Sequence, residues 1–442
     1  MVKMLQNPAL VAVWLLLLSA HAPAQEKDER LAAVKKMCDT YVECFLSPAT
    51  DLVYGKKLNG PKGIAVLESP EEIAKEHFGG KYLPYGYGAG IEDVALMNGY
   101  LLFALCDVYD ATGDAYFADL ARRIFKGMKR IGTISPVPGF VPRGPHPDGK
   151  SYYRDSSLDQ HSLYVCALWR YYRSSIASDE EKAFIRESLD QFAKRMEKNK
   201  WTLMVEDDSR VAHVGWCWLR MSPDNAVIIL SMLGAVQDVT GDAHWRAEYE
   251  RLGNEENGKR WKLIARYPTH LPRYTLFSNQ SAYRAETLAR VEKDPQRKAV
   301  VKARLQHKAK DMLTCNFFTH WRRLDWIGDI PDADVDMFLK PLGYTVTSQA
   351  TVFDLWQKYD PKLRAPRLAD RRWRSYIGIG LRAPFIAWQT AFLSGDAALT
   401  GQIDPCIAQT PQKIDLGLNS SGWTANDAVV ACLLDLAAQA KR

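Results

Sequence analysis

Tyr109-Asp-Ala-Thr-Gly-Asp114 ends one long apolar run and opens the next, and the chain repeats this pattern twice. The related stretches are Gln237-Asp-Val-Thr-Gly-Asp242 and Ala391-Phe-Leu-Ser-Gly-Asp396. Glycine at such a place supplies the left-handed residue that ends a helix, and the aspartate after it caps the following helix. Each stretch therefore predicts a tight turn between two antiparallel helices.

Apolar residues recur at helical spacing on both sides of these turns, whereas strand-like alternation is scarce. The predicted helices cover residues 27–46, 92–110, 114–131, 158–175, 178–199, 222–238, 242–253, 277–292, 296–321, 347–359, 376–394 and 424–441. Hairpins that recur about every 60 residues, with long polar connections at their other end, predict a closed ring of paired helices. The expected fold is all-α, an (α/α) toroid.

The hairpins number six or seven, and seven is favoured. Inner helices are expected to start near Glu92, Leu158, Ser222, Phe277, Thr347, Tyr376 and Thr424. Residues 27–46 would close the outer layer, so that residues 25–442 form a single domain. An α-solenoid used for protein binding is the alternative. The long connections rich in Trp, Tyr, His and Arg favour an enzyme, because such loops usually carry function.

The first 24 residues have the features of a secretory signal peptide. Lys3 precedes an apolar run over residues 9–18, and Ala22-Pro-Ala24 precedes Gln25. The run is shorter than the roughly 20 residues that span a bilayer. We therefore expect cleavage near Ala24, a mature protein without a membrane span, and a periplasmic or secreted location.

Composition narrows the class of protein. A chain that is 47% hydrophobic and 25% charged is globular rather than disordered. The net charge of +6 is smaller than that of typical nucleic-acid-binding proteins, so no nucleic-acid partner is expected. A mildly positive charge does suit an anionic substrate. Eight cysteines in so long a chain make no disulfide framework, and no zinc spacing exists.

No cofactor or metal is expected. The acidic segment 325–336 does not have the spacing of a calcium-binding loop, because it has no glycine at the sixth position and no glutamate at the last.

In a toroid of this type the substrate lies across the N-terminal ends of the inner helices, so the connections before those helices are the candidate site. In the first connection, Tyr85 and Tyr87 offer stacking faces for sugar rings, and Glu92 and Asp93 follow at the helix start. Acidic residues also favour a helix N-terminus for dipole reasons alone.

The next two connections add polar and aromatic candidates. The expected substrate-binding residues there are Arg143, Arg154, Asp159, Gln160, His161, Trp216 and Trp218. His213 is flanked by aromatic residues, and burial beside tryptophan would keep it neutral near pH 7, as a base must be.

The fourth connection is stiffened by two prolines. Arg273 and Tyr274 are adjacent there, and Asn279, Gln280 and Tyr283 open the following helix. Gln280 and Tyr283 are expected to bind substrate, although Tyr283 equally suits a core position.

These residue types suit β-elimination on a uronic-acid polymer. That reaction needs an amide or arginine to neutralise the carboxylate, a neutral base, and an acid for the leaving oxygen. Asn279, Gln280 or Arg273 could supply the first, and His213 and Tyr274 the others.

Two alternatives remain open. A hydrolase would need two facing carboxyl groups about 5–9.5 Å apart, and Asp93 with Asp159, or Asp159 with Asp224, could provide them. Such an enzyme could be an unsaturated-uronyl hydrolase. A sugar-binding protein would use the same aromatic platforms without acid–base groups.

The segment 153–161, His213 with Trp216, and Arg273-Tyr274 with Asn279 resemble the cleft residues of the α/α-toroid polysaccharide lyases. The chain is most similar to the glucuronan- and alginate-cleaving group with a seven-hairpin barrel. The resemblance implies a lyase that acts on a mannuronate- or glucuronate-type polymer, with His213 and Tyr274 as base and acid.

Overall fold

The computed structural model describes residues 8–75, 89–266, 277–314, 382–417 and 421–441, and the chain in these ranges is almost entirely helical. The helices are α1 (Pro8–Phe45), α2 (Pro70–Ala74), α3 (Val94–Thr112), α4 (Ala115–Ile134), α5 (Leu158–Tyr172), α6 (Asp179–Lys198), α7 (Pro223–Thr240), α8 (Ala243–Ala265), α9 (Phe277–Val291), α10 (Pro295–Thr314), α11 (Ala383–Ser394), α12 (Ala397–Ile407), α13 (Thr410–Lys413) and α14 (Gly422–Ala440). A 3₁₀ turn covers Gly63–Val66, and β1 (Leu46–Ser47) pairs antiparallel with β2 (Leu52–Val53).

Six of the described helices form a closed ring. Going round it, α3 packs against α5, α5 against α7, α7 against α9, α9 against α11, α11 against α14, and α14 returns to α3. The outer layer consists of α4, α6, α8, α10, α12 and α1, each packed on the inner helices beside it. The all-α toroid is therefore confirmed. The further inner helix predicted near Thr347 lies outside the described residues.

Residue patterning separates the two layers. Residues 94–108 of α3 are all buried, as expected for a helix enclosed on every side. The outer helix α4 instead buries one stripe, at Phe117, Leu120, Ile124, Met128 and Ile131, and faces solvent on the other. An all-round apolar sequence therefore goes inside, and an amphipathic one outside.

The three repeated glycine–aspartate turns form as predicted. Gly113, Gly241 and Gly395 have φ of 70°, 69° and 67°, the left-handed conformation that glycine adopts at little cost. Asp114 then accepts a hydrogen bond from the Tyr116 amide at 3.0 Å, and equivalent caps follow the other two turns. Because these tight turns all lie at one end of the ring, the N-termini of the inner helices gather at the other end.

The boundaries differ from the prediction in places. Helix α8 extends twelve residues beyond the predicted end at residue 253, but it is interrupted at Glu255–Gly258, where the backbone leaves helical geometry. Helices α2, α12 and α13 were not predicted, and α11 begins at Ala383 rather than near Tyr376. The predicted signal-peptide cleavage point after Ala24 falls within α1.

Only α3 in the described ranges has the length and hydropathy to cross a membrane. The apolar stretch of this helix is 83% buried within the protein, as in the core helix of a globular domain.

A buried ion cluster ties the inner helices together near the tight-turn end. The Asp107 carboxylate of α3 accepts from Arg170 Nε of α5 at 2.6 Å and from two nitrogens of Arg290 of α9 at 2.8 and 2.9 Å. Although burial opposes ionisation, the two guanidinium groups hold the pKa of Asp107 well below its usual range. This cluster spans the interior of the ring.

Replacing Asp107 by alanine should destabilise the fold by about 3 kcal/mol, because the buried Arg170 and the partly buried Arg290 lose their shared partner. Urea unfolding at neutral pH measures this. The matched control is Asp119→Ala, which breaks an exposed pair with Arg122 at 2.9 Å and should cost less than about 1 kcal/mol. Equal losses in the two variants would contradict a central role for the cluster.

Candidate active site

Asp93 stands at the start of α3, where the N-terminal ends of the inner helices meet. It is the N-cap residue, yet its carboxylate makes no capping hydrogen bond. Instead, Oδ1 accepts from Gln160 Nε2 at 2.7 Å and lies 3.8 Å from Arg143 Nη1. The side chain keeps 18% of its surface exposed, so the carboxyl group remains reachable from the cleft.

Gln160, in the first turn of α5, fixes this arrangement. Its Oε1 accepts from the Leu96 amide of α3 at 2.9 Å, so its Nε2 must face Asp93. The side chain is fully buried. One amide thus joins the starts of two neighbouring inner helices and presents a donor to the carboxyl group of Asp93.

Asp159 precedes Gln160 and faces the same cleft. Its Oδ2 accepts from Gln280 Nε2 of α9 at 3.1 Å, and its Oδ1 accepts from the Ser157 hydroxyl. Arg284 orients Gln280 by donating to its Oε1 at 3.1 Å. The partners of the Asp159 side chain are donors, which suits a carboxylate that carries a charge.

The electrostatics of the two carboxyl groups are linked. Burial raises the pKa of Asp93 to about 8, and the charges of Asp159 and Glu92 raise it too, against the opposing effect of Arg143 and Arg382. Asp93 therefore holds a proton at neutral pH. Acid–base chemistry uses such an arrangement, in which a protonated carboxyl group lies near a second carboxyl group.

His213 lies at the rim of this pair. Its segment runs beside the start of α5, since the Leu158 amide donates to the Val214 carbonyl at 3.1 Å. The His213 amide donates to Asp155 at 3.1 Å, and the imidazole is exposed. Partial desolvation lowers the pKa of His213, as do the charges of Arg143 and Arg210, whereas Asp155 raises it.

Trp216 lies beside the start of α7. Its Nε1 donates to Asn225 Oδ1 at 3.1 Å, and the ring is half-buried, so that one part remains open to the cleft. Arg154 is 71% exposed, with its Nε 3.6 Å from Glu206. Both residues lie where a long substrate could meet them.

Three predicted substrate contacts are buried, and those predictions are wrong. Trp218 and Tyr283 have no exposed surface, and His161 has 1%. Trp218 packs on Phe192, and Tyr283 packs on Tyr100 and Phe103. His161 and Tyr283 are turned inward by the helices that carry them, whereas Trp218 lies in the connection before α7, where its amide donates to the Trp201 carbonyl at 2.8 Å.

His161 is a structural histidine. Its Nε2 accepts from the Val141 amide at 3.3 Å, and burial lowers its pKa to about 3, so it stays neutral. It fixes the connection before α5 and does not face the cleft.

Four further predicted residues are buried but act on the pair or its surroundings. Arg143 donates to the Glu92 carbonyl at 3.2 Å, and Gln160 and Gln280 hold the two aspartates as described. Asn279 is 1% exposed, and its Nδ2 donates to Gln389 Oε1 at 2.9 Å. Asn279 is therefore not placed to neutralise a substrate carboxylate, whereas Gln160 and Gln280 contact the two aspartates.

Tyr85, Tyr87, Arg273 and Tyr274 lie outside the described residues, as does the acidic segment 325–336. Within the described ranges, no group of three or more His, Cys, Asp or Glu side chains is arranged to hold a metal ion.

Sequence reasoning missed one edge of the cleft, formed by the starts of α11 and α14. Arg382 Nε donates to the buried Asp427 carboxylate at 2.5 Å, and its guanidinium lies 4.3 Å from the centroid of the Trp423 ring. The sequence offered one signal for this edge, because Trp423 stands at the start of an apolar helix. A tryptophan near a helix start was also the signal that marked Trp216.

No family model and no curated protein matches the sequence. Among solved structures, the chain is similar to the apo form of a β-1,3-1,4-glucanase from Paenibacillus sp. X4, with a TM-score of 0.46 and 11% identity over 93% of each chain. It is also similar to a Bacteroides ovatus protein described as GH9, with a TM-score of 0.42 and 11% identity over 92% of this chain and 82% of that one. Likenesses this distant carry no information about substrate or reaction.

The protonation of Asp93 predicts a pH dependence of stability. In the folded protein Asp93 keeps a proton that the unfolded chain loses above the ordinary pKa of 3.8. The contribution of Asp93 to the free energy of unfolding therefore falls as pH rises from about 4 through 8. Asp93→Asn removes the titration. Relative to wild type, the free energy of unfolding of this variant should increase by at least about 1 kcal/mol between pH ~5 and ~8, as measured by urea unfolding.

Asp119→Asn is the control, because this exposed outer-layer carboxyl should leave the pH profile unchanged. A stability difference between Asp93→Asn and wild type that is the same at both pH values would show that Asp93 titrates normally.

Proposed function

We propose that the protein is an enzyme that hydrolyses a glycosidic bond in an acidic saccharide, with Asp93 as general acid and Asp159 as the second carboxyl group. The observation that carries the proposal is that these two carboxyl groups stand at the starts of adjacent inner helices, where the charge of Asp159 acts on Asp93. Glycoside hydrolysis requires such a pair, with one group protonated and the other ionised.

The geometry assigns the proton on Asp93. Because Oδ1 accepts from Gln160 Nε2, the proton belongs on Oδ2, where it can be donated to the glycosidic oxygen as the bond breaks. Gln160 cannot turn its acceptor oxygen toward Asp93 without losing the Leu96 amide. The acid is therefore oriented before substrate arrives.

Asp159 would complete the reaction at the sugar carbon. Held by Gln280 and Ser157, it would either attack that carbon or deprotonate a water that attacks it, depending on the separation of the carboxyl groups in the complex. Its place at the N-terminal turn of α5 supports the charged form, because the helix dipole favours an anion there.

A sugar ring needs aromatic faces, and an acidic one also needs cations. Trp216 and Trp423 lie at the starts of α7 and α14, and Arg382 packs on the Trp423 ring. The net charge of +6 favours an anionic partner over a neutral one. A saccharide that contains uronic acid, including one with an unsaturated uronyl end, fits these features.

A polysaccharide lyase is the second candidate, and His213 is the observation that favours it. The imidazole is exposed at the rim beside the start of α5, and its lowered pKa keeps it neutral, as a proton-abstracting base requires. The acid and the carboxylate-neutralising arginine of that mechanism would be Tyr274 and Arg273. The hydrolase is preferred because both of its carboxyl groups have defined partners.

The test is to incubate the protein with alginate, glucuronan and unsaturated uronyl oligosaccharides while following the absorbance of the uronyl double bond and the release of reducing ends. Hydrolysis releases reducing ends and leaves or consumes the absorbance. Asp93→Asn and Asp159→Asn should each lower kcat at least about 100-fold, while Asp119→Asn should not. Wild-type activity should also decline above pH ~8, as Asp93 loses its proton.

Other outcomes would point elsewhere. Rising absorbance that is lost in His213→Ala and kept in Asp93→Asn would establish the lyase. Binding of these saccharides with no turnover of any of them would indicate a sugar-binding protein.

A further inference from the structure

A cavity of about 330 Å³ lies between α2 and the connection that precedes α5. One wall consists of Pro70, Ile73 and Ala74 of α2, and the other of residues 150–154, with Lys150, Tyr152 and Arg154. We refer to it as the Lys150 pocket. Its volume is near the lower end of roughly 300–1,000 Å³ for small-ligand sites, which suits one sugar ring.

Both walls are built before any ligand binds. The second wall is the end of a turn in which the His146 amide donates to the Ser151 carbonyl at 2.7 Å, while Asp148 Oδ1 accepts from the Lys150 and Ser151 amides at 2.9 Å. The first wall, α2, begins with a reciprocal capping box between Ser69 and Glu72.

The lining combines an apolar face with positive charge. Lys150 is exposed and has no ion-pair partner within the described part of the chain, and the Arg154 side chain is 71% exposed. The Tyr152 hydroxyl donates to Glu206 at 2.6 Å, which fixes the phenol ring against the cavity. None of the described residues that line the pocket is acidic.

The pocket is connected to the catalytic pair through both walls. Behind it, the Tyr153 hydroxyl donates to the Glu68 carboxylate, and the Glu68 amide donates to the Ala89 carbonyl at 3.1 Å. Ala89 shortly precedes Asp93 along the chain, and Tyr153 shortly precedes Asp159. The walls of the pocket are therefore joined to the segments that carry the two aspartates.

We propose that the Lys150 pocket is a subsite that binds one uronate residue of the substrate, away from the bond that is cut. The ring's C–H face packs on Pro70 and Ala74, and its carboxylate pairs with Lys150 and Arg154. The inference rests on the proposed function and names the feature of the substrate that is recognised. A neutral sugar would fill the same space without the charge-assisted contacts.

The experiment measures binding by titration calorimetry in the full chain carrying Asp93→Asn, so that nothing is cut. The probes are the β-1,4-linked tetrasaccharide of glucuronic acid and the tetrasaccharide of glucose with the same linkage. Adding Lys150→Ala should weaken binding of the acidic probe about tenfold and leave the neutral probe unchanged. Lys150→Arg should restore most of the affinity.

The matched control is Lys36→Ala, which removes an exposed lysine from the outer helix α1 and should change neither affinity. An unchanged affinity for the acidic probe in Lys150→Ala, an equal loss for both probes, or no binding of the acidic probe would overturn the subsite. These outcomes are separable from the proposed function, whose failure appears as absent hydrolysis in the chain that retains Asp93.

Discussion

The side chain of Gln160 is the contact on which the site depends. It is fully buried between α3 and α5, where its oxygen accepts from the Leu96 amide and its nitrogen donates to Asp93. An amide can satisfy both neighbours in one orientation only, so the nitrogen of Gln160 is held toward Oδ1 of Asp93. Burial raises the pKa of Asp93 most, and the charge of the neighbouring Asp159 raises it further, so that Asp93 keeps its proton.

The ring explains why two carboxyl groups come together at all. Tight turns at one end force every inner helix to start at the other, so residues distant in sequence meet there. The buried cluster of Asp107, Arg170 and Arg290 ties α3, α5 and α9 together near the tight-turn end, and the chain of Gln160, Asp159 and Gln280 ties the same three helices at the cleft. The alignment of the pair is thus a property of the whole ring.

Much of the fold follows from the sequence, because the information is local. Glycine and aspartate at 113–114 set a turn without help from distant residues, and an all-round apolar run such as 94–108 has no place except inside. The site is harder, because the direction of a side chain depends on the neighbouring helix. Trp216 and Trp218 are two residues apart and look equivalent in sequence, yet Trp216 reaches Asn225 at the cleft and Trp218 packs on Phe192 in the core.

The protonation state of Asp93 tests the account most directly. In protein carrying ¹³C-labelled aspartate, the Asp93 carboxyl resonance is identified by its loss in Asp93→Asn and followed through a pH titration. The account predicts a pKa near 8 in the wild type and a decrease of at least about one unit in Asp159→Asn. A midpoint near the ordinary value of 3.8, unchanged by Asp159→Asn, would contradict it.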